Sequence, residues 1–446
     1  MADRQSKDYL AGAPVFESYL KMSLPVVAGL LISLIYNIVD IYFISLTGET
    51  ELIAGVSLCS PVFTLLIALG DIFGLGGSSL VSRLLGGQER AHAKRVSALS
   101  AWAGLICGLA IVVLLLLVKA PLLRLLGADA GTLPHASAYL GWISAAAPFV
   151  VFSFVPVNIL RSEGRAAETF IGGAIGSVSN IILDPLMIFT LKLGAGGAAL
   201  ATFLAYLIET LYFAGVMLRK TKIAVLHPRY LRFHRSDLFE ILRIGVPACV
   251  TNLAQSLAMM LTNRSLIAYG SESVAGYGIA SRVIMIANMV LIGFAFGGQP
   301  IIGYSHGSNN KQRLREIIHC EFLFEICLAL VFTVLLIAGA PLILRIMSAS
   351  DAVLATGTQA VRCLSSSLVF MVICLVSTCV FESVGRAGAA FAVSASRQGV
   401  IFAILLSLLS SAFGLTGILL SQPASDVLTA VLALILLRSI MVSPLK

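Results

Sequence analysis

Hydrophobic residues occupy long stretches of this chain, and only short polar segments separate them. Because a helix needs about 18 or more apolar residues to cross the hydrocarbon core of a bilayer, the pattern predicts twelve transmembrane helices, six in each half of the chain. The predicted spans are roughly 16–46, 52–83, 93–118, 132–160, 167–190, 196–218, 238–269, 274–305, 315–338, 352–382, 390–412 and 415–440.

The two halves of the chain also repeat one another. Pro25 of the first predicted helix aligns with Pro247 of the seventh, and Gly48 aligns with Gly270 a little later. A direct repeat of about 220 residues is the kind of internal duplication from which many transporters are built. The predicted organisation is an amino-terminal six-helix lobe at 1–218, a cytoplasmic linker at 219–237 and a carboxy-terminal six-helix lobe at 238–446.

The acidic residues of the first copy are absent from the matching positions of the second. Asp40 aligns with Thr262. Asp184 aligns with Leu405. In the same way, Asp71, Asn180 and Glu209 align with Ile292, Ile401 and Ala430. We therefore expect the buried carboxylates to belong to the first copy and to serve something other than the duplicated scaffold.

The composition is that of a membrane protein. Hydrophobic residues make up 58% of the chain and charged residues 12%, with a mean hydropathy of +0.98, whereas soluble domains carry about 25% charged residues. Lys and Arg accumulate on the cytoplasmic side of membrane proteins, and here they concentrate in the segments on the side of the amino terminus. We expect a multi-pass protein of the inner membrane with both termini in the cytoplasm. The net charge of +8 then reflects topology, and no nucleic-acid partner is expected.

The sequence lacks the motifs of several other function classes. It contains no phosphate-binding loop of the type that ATP-driven transporters use. The eight cysteines and six histidines form no pairs at metal-ligand spacing. We therefore predict no enzymatic activity, no catalytic residues, no metal and no cofactor, and we expect an ion gradient to supply the energy.

A first group of polar residues lies on the first predicted helix. Tyr36, Asn37 and Asp40 share one helix face because they are three and four residues apart. A carboxylate inside the membrane costs roughly 2.5–3.5 kcal/mol on insertion scales, which makes it a functional candidate. Burial also disfavours the charged form of a carboxyl group, so Asp40 is a candidate for binding and releasing protons near neutral pH. The alternative is a structural hydrogen bond or ion pair within the bundle.

A second group lies on the fifth predicted helix. Asn180 and Asp184 share a face, and Pro185 cannot donate to the carbonyl of Ile181 and should bend the helix. A carboxylate, an amide and a freed carbonyl at one bend would form an oxygen-rich niche for a hard cation or a hydrated proton. The alternative is a packing kink that Asp184 caps.

Further polar residues of the first copy are candidates to complete this cluster, although hydroxyl groups in membrane helices commonly serve only as packing contacts. They are Asn158 on the fourth predicted helix, Thr202, Tyr206 and Glu209 on the sixth, and Asp71 on the second. In the second copy the charges embedded in predicted helices are basic. Arg264, Arg282, Arg362 and Arg397 are expected to pair with carboxylates such as Asp71 or Glu325, to extend to the interface, or to line a cavity for anionic groups.

These features together resemble the multidrug and toxic compound extrusion family over essentially the whole chain. The resemblance rests on the two six-helix copies, Pro25, Val39-Asp40 followed by Gly48, the run Gly86-Gly87-Gln88, and Asn180-x-x-x-Asp184-Pro185. It implies an all-α, V-shaped protein with two six-helix lobes around a central cleft, which exports cationic or amphipathic compounds in exchange for H⁺ or Na⁺. It also implies that Asp40, Asn180 and Asp184, with Tyr36, Asn158 and Thr202 nearby, form an amino-lobe cation site.

One departure from the family pattern bears on the coupling ion. Sodium-coupled members carry an acid in helix 7 and another in helix 10, where this chain has Asn252, Gln255 and the acid-free stretch 365–379. The resemblance is therefore closer to the DinF-type branch, which is usually proton-coupled. We predict proton-driven efflux of lipophilic or cationic drugs by a monomer in contact with membrane lipid. A Na⁺-coupled drug antiporter and a lipid-linked oligosaccharide flippase stay open as alternatives, with a membrane enzyme as a third.

Overall fold

A computed structural model describes residues 9–347 and 350–442, and every regular element in those ranges is helical. The helices are α1 Val15–Ser45, α2 Thr50–Leu58, α3 Ser60–Gly86, α4 Arg90–Leu125, α5 Thr132–Ser162, α6 Ala166–Pro185, α7 Gly194–Arg219, α8 Arg235–Ile267, α9 Ser271–Gly307, α10 Lys311–Met347, α11 Asp351–Ser366, α12 Leu368–Ser383, α13 Ala387–Ala395 and α14 Ile401–Val442. Two π-helical turns, Leu186–Thr190 and Ser396–Val400, follow α6 and α13, and a short 3₁₀ turn, Pro228–Tyr230, lies between α7 and α8.

The all-helical membrane fold that the hydrophobic pattern predicted is confirmed. Ten helical segments of the described chain are long and apolar enough to cross a membrane, and the pair α11 and α12, bent by 47°, makes an eleventh. One of the ten, Ala387–Ser439, has 53 residues, which at 1.5 Å per residue is roughly twice the length that a bilayer requires. It breaks at Gly414, whose φ of 58° and ψ of −132° are not helical. Twelve spans follow if each side of Gly414 crosses the membrane once.

The described chain divides into two compact units. The first contains Ala28–Cys249, and the second combines Tyr9–Val27 with the chain from Val250 onward. The boundaries fall inside α1 and α8, so each unit takes the first half of one helix from the other repeat. The predicted lobes 1–218 and 238–446 differ from the units by these two half-helices.

Glycines allow each exchanged half-helix to pack closely on its unit. In the first unit, a Cβ atom added to Gly76 of α3 would collide with the carbonyl of Ile241 at the start of α8. In the second unit, a Cβ atom added to Gly297 of α9 would collide with Ser23 of α1. Gly76 and Gly297 are aligned in the repeat, so both units use the equivalent glycine, and small residues of this kind let membrane helices approach. The glycine meets Ile241 in the first unit and Ser23, one turn beyond the residue aligned with Ile241, in the second.

The helix α5, which corresponds to the fourth predicted helix, forms the centre of the first unit. It is by far the most buried membrane span, and its side chains Leu140, Ile143 and Ile159 are inaccessible to solvent. It packs against α3, α4 and α7. Because most of α5 is buried in this core, polar side chains of the neighbouring helices can be held away from lipid.

Candidate functional site

Tertiary packing brings the acids of α1 and α6 together in the first unit. The carboxyl groups of Asp40 and Asp184 lie within hydrogen-bonding reach of one another. The Oδ1 atom of each is buried and has no hydrogen-bond partner among the described residues. In that part of the chain no basic side chain forms an ion pair with either acid. Two adjacent carboxyl groups without a compensating base cannot both be ionised at low cost.

Asn180 and Thr202 hold Asp184 in place. With the Asn180 amide oriented to satisfy both of its ends, Nδ2 donates to Asp184 Oδ2 over 2.8 Å and Oδ1 accepts from the backbone N–H of Thr202 over 3.3 Å. The Thr202 hydroxyl donates to the carbonyl of Ala198 on its own helix, at 3.1 Å. The predicted association of Asn180, Asp184 and Thr202 is therefore present in the structure.

The helix changes its geometry immediately after Asp184, where a bend was predicted. α6 ends at Pro185, and the chain continues as the π-helical turn Leu186–Thr190. Proline has no N–H to donate, and single π turns within helices often occur at functional sites. The turn keeps Asp184 at the end of a regular helix while the backbone beyond it widens.

Three tyrosines surround the carboxyl pair. Tyr36 of α1 interacts electrostatically with Asp40, Asp184, Tyr139 and Tyr206. Tyr139 of α5 also interacts with both aspartates, and it is buried. Sequence reasoning missed Tyr139, because a single tyrosine near the start of an apolar helix does not indicate which other helix it faces. The spacing of polar residues along one helix does not show which residues of another helix lie beside it.

Glu209 extends the cluster along α7. Tyr206 interacts with Glu209 one turn further along the helix. The Glu209 side chain packs on Gly176 of α6, where a Cβ atom would lie 2.6 Å from its Oε2. Tyr36, Tyr206 and Glu209 are thus part of the polar cluster that the helical spacing predicted.

Three other predicted residues have different surroundings. Asn37 is exposed and donates to the carbonyl of Ser33, 2.6 Å away on its own helix. Asn158 donates to the carbonyl of Phe154 over 2.8 Å and accepts from Arg161. Asp71 interacts with Cys249 of α8. These contacts connect the three residues to neighbours other than Asp40 and Asp184, and their membership of the Asp40 cluster stays a prediction.

Buried acids also occur in the second unit, which corrects the expectation that they belong to the first copy alone. Glu321 and Glu325 of α10 and Asp426 of α14 are almost completely buried. The repeat comparison missed them because it followed the acids of the first copy to their partners, whereas the second copy carries its acids at other positions. Each unit therefore has its own buried carboxyl groups.

The arginines of the second copy have separate roles. Arg397, in the π turn Ser396–Val400, donates to Asp426 Oδ1 over 2.7 Å. Ser367 and Gln422 complete the environment of Asp426 at 2.8 and 2.9 Å. Arg264, Arg282 and Arg362 are exposed within the second unit. Arg397, the least exposed of these four arginines, thus pairs with a carboxylate other than Asp71 and Glu325, the two that were expected.

Similarity to known proteins agrees with this architecture. The MatE family model matches residues 25–186 and 247–409, one match in each repeat. The multidrug export protein MepA of Staphylococcus saprophyticus is 34% identical over 330 residues, which cover 73% of each chain. A crystal structure of a MATE protein in a straight conformation superimposes with a TM-score of 0.92 at 26% identity, over 97% of each chain. An outward-facing multidrug resistance MATE transporter gives a TM-score of 0.91 at the same identity and coverage. The chain therefore belongs to the MatE family of multi-pass membrane transporters.

Proposed function

We propose that this protein is a secondary active exporter that exchanges protons for cationic or amphipathic compounds by alternating access. The observation that carries the proposal is the pairing of Asp40 with Asp184, two carboxyl groups from different helices that meet while no basic side chain of the described residues pairs with either. The name of the relative MepA, a multidrug export protein, supports varied drugs as the substrate class.

The chemistry of the pair explains how exchange would work. When one proton is held between the two carboxyl groups, the pair carries a single negative charge at most. A cationic substrate near the cluster stabilises the second carboxylate, and it therefore favours release of the proton. Binding of the proton has the opposite effect, so substrate and proton compete for one negative site.

The neighbouring side chains have supporting roles in this scheme. Asn180 donates to Asp184 in either protonation state of that carboxyl group. The hydroxyl groups of Tyr36, Tyr139 and Tyr206 can donate to a carboxylate or accept from a carboxylic acid. Aromatic rings also attract cations to their faces. The cluster thus offers both hydrogen bonds for the acids and apolar, cation-attracting surface for a lipophilic cation.

We further propose that the protein works as a monomer in the inner membrane, with both termini in the cytoplasm, and that its coupling ion is H⁺, as in the DinF-type branch. The concentration of Lys and Arg in the segments on one side supports the orientation. A site built from two acids and an amide could also take Na⁺, which prefers oxygen ligands, and a sodium-coupled antiporter is therefore the second candidate. The pairing of Arg397 with Asp426 removes one of the arginines that motivated the flippase alternative.

Transport by the purified protein in liposomes tests the proposal. An imposed pH gradient without Na⁺ should drive uptake of a fluorescent lipophilic cation into vesicles of wild type. Asp40→Asn and Asp184→Asn should abolish this uptake, because an amide cannot bind and release the proton. Glu272→Gln, which neutralises an exposed acid in the first turn of α9, serves as the control and should transport like wild type.

Three results would contradict the scheme. Normal uptake by Asp40→Asn would make the carboxyl pair structural. Uptake by wild type that requires a Na⁺ gradient and ignores the pH gradient would establish sodium coupling instead. Movement of a lipid-linked sugar in place of the drug would support the flippase.

A further inference from the structure

A second group of buried acids lies in the other unit, away from the proposed exchange site. Glu321 and Glu325 are one turn apart on α10, and Tyr19 from the first half of α1 packs against them. All three side chains are 0% exposed. Neither the Tyr19 hydroxyl nor any of the four carboxyl oxygens has a hydrogen-bond partner in the described part of the chain.

In the described part of the chain, no compensating base lies beside this acidic cluster (Tyr19, Glu321 and Glu325). Glu321 lies against Gly298 of α9, where a Cβ atom would collide with Oε2. From α12, Cys379 interacts with both glutamates. Glu382 of the same helix interacts with Cys379 and accepts from Gln299 over 3.0 Å.

Further ionisable groups lie on α10 and α11. On α10 itself, Cys320 interacts with Glu321. The helix α11 also packs on α10, but its charged residues Asp351 and Arg362 line a pocket with Arg345 near the far end of α10. Among the described residues, no Lys, Arg or His interacts with Glu321 or Glu325. The charges of the two acids would therefore be uncompensated if both were ionised.

The duplicated scaffold does not require acids at these positions. With the repeat offset that aligns Gly77 with Gly298, Glu321 falls on Ser100 and Glu325 on Gly104. Gly77 lies against Ser100 as Gly298 lies against Glu321, so the two packing contacts are equivalent. Ile241, fully buried, takes the place of Tyr19 in the alignment. A serine, a glycine and an isoleucine thus fill the site in one unit that a tyrosine and two glutamates fill in the other.

Electrostatics determines the state of these acids. An ion buried without a partner carries a desolvation penalty of several kcal/mol, and two adjacent carboxylates repel each other in addition. Protonation removes both penalties and turns each acid into a donor as well as an acceptor. The Tyr19 hydroxyl can then donate to one carboxyl group or accept from it.

We propose that Glu321, Glu325 and the Tyr19 hydroxyl form a second proton-binding site, which takes up and releases protons during the transport cycle. This inference rests on the proposed proton-coupled export. Each glutamic acid releases its proton to water as a carboxylate forms and recovers it when the acid re-forms. The fully buried hydroxyl without a partner is the observation, independent of the acids themselves, that points to a bound proton.

Infrared spectroscopy of the full-length protein tests occupancy by the proton directly. At about pH 7 an exposed carboxyl group is ionised, since its ordinary pKa is about 4. The wild type should nevertheless show the carbonyl stretch of protonated acids. The double variant Glu321→Gln, Glu325→Gln should lose part of that signal. Glu316→Gln, on an exposed face of the same helix, should leave it unchanged.

Transport in the same liposome assay tests the use of the proton. Glutamine resembles a protonated glutamic acid in shape and hydrogen bonding, so the double variant should fold, bind the fluorescent cation as wild type does, and lose uptake driven by the pH gradient. Glu321→Ser, which carries the residue of the first repeat, provides a second variant if the glutamines disturb packing. Thermal unfolding monitors the fold of each variant.

Each result of the infrared and transport experiments has a different meaning for the proposal. An unchanged infrared signal in the double variant would overturn the proposal, as would normal transport by it. A signal that disappears on addition of Na⁺ would assign the cluster to a metal cation and also overturn the proposal. Unfolding of both the glutamine and the serine variants would show the acids to be structural. Failure of the wild type to respond to a pH gradient would refute the proposed function, whereas the infrared comparison would still report whether these glutamates hold protons.

Discussion

At the scale of single residues, three groups of buried or partly buried acids differ in the side chains that lie beside them. Asp40 and Asp184 face one another from two helices. Glu321 and Glu325 follow one another on a single helix beside a tyrosine. Asp426 is neutralised by Arg397 at 2.7 Å. No basic side chain of the described residues compensates the acids of the first two environments, whereas Arg397 pairs with Asp426 in the third.

The amide of Asn180 provides a residue-scale prediction. Asn180→Ala removes the donor to Asp184 Oδ2, and transport should fall strongly, because a buried carboxyl group that loses its donor costs about 1–3 kcal/mol. The measurement is proton-driven drug uptake in liposomes. Leu405→Ala, at the position that matches Asp184 in the second copy, is the control and should affect thermal stability at most. Similar transport defects in both variants would show that the two copies share the function equally.

At the scale of helices, each of the two π turns lies next to, or contains, an ionisable side chain that is wholly or partly buried. One follows Asp184, and the other contains Arg397. A π turn inserts one extra residue into a helix and shifts the faces beyond it. Each turn therefore changes the direction of the side chains that follow it. The helix can then present an ionisable residue to one neighbouring helix and apolar residues to another.

The start of α5 provides a prediction for a helix end outside the membrane spans. Asp129 Oδ1 accepts from the backbone N–H of Thr132 at 2.8 Å and from its hydroxyl at 2.7 Å. These bonds, the backbone one first, hold the pKa of Asp129 below its usual value. Asp129→Ala should lower the midpoint of thermal unfolding because orphan N–H groups of the first turn lose their acceptor.

The sign of the pH dependence follows from that pKa. A lowered pKa in the folded state means that the stabilisation is present above the ordinary pKa of an aspartate and is lost as the pH falls through the folded value. The difference between Asp129→Ala and wild type should therefore shrink in acid. Glu49→Ala is the matched control, since Glu49 precedes α2 without a side-chain capping bond. An equal loss of stability in the control would argue against capping as the cause.

At the scale of the whole molecule, the two repeats share one helical scaffold but carry their buried acids at different positions. Both units use the equivalent glycine, Gly76 or Gly297, where the exchanged half-helix packs. The buried carboxyl groups, however, occupy different positions in the two units. In the proposed transport cycle, protonation of the acids in either unit would shift the balance between two conformations if one of them holds the proton more tightly.

Competition between substrate and proton gives the prediction at this scale. Binding of a fluorescent lipophilic cation to the purified protein, measured in Na⁺-free buffer from about pH 5 to pH 8, should weaken as the pH falls, because protonation removes the negative charge that attracts the cation. Asp40→Asn should make the affinity nearly independent of pH. An affinity of the wild type that is flat with pH and rises with added Na⁺ would instead favour sodium coupling.

The sequence by itself determined the membrane fold, the repeat and most of the Asp40 cluster. Hydrophobic length is set by the bilayer, and the spacing of Asn180 and Asp184 places them on one face of any helix they form. These conclusions depend on the length and spacing of residues within single helices, and both can be obtained from the order of residues in the sequence. The family resemblance rested on the same local features.

Only the tertiary structure decided which faces meet. It joined Tyr139 to Asp40 and Asp184 from a third helix, and it directed Asn158 toward its own helix instead. It also revealed that Glu321 and Glu325 are buried beside Tyr19, a residue some 300 positions earlier in the chain. The physical reason is that burial and the balance of charge depend on neighbours distant in sequence, and helical periodicity specifies a direction around one helix without naming the helix that it faces.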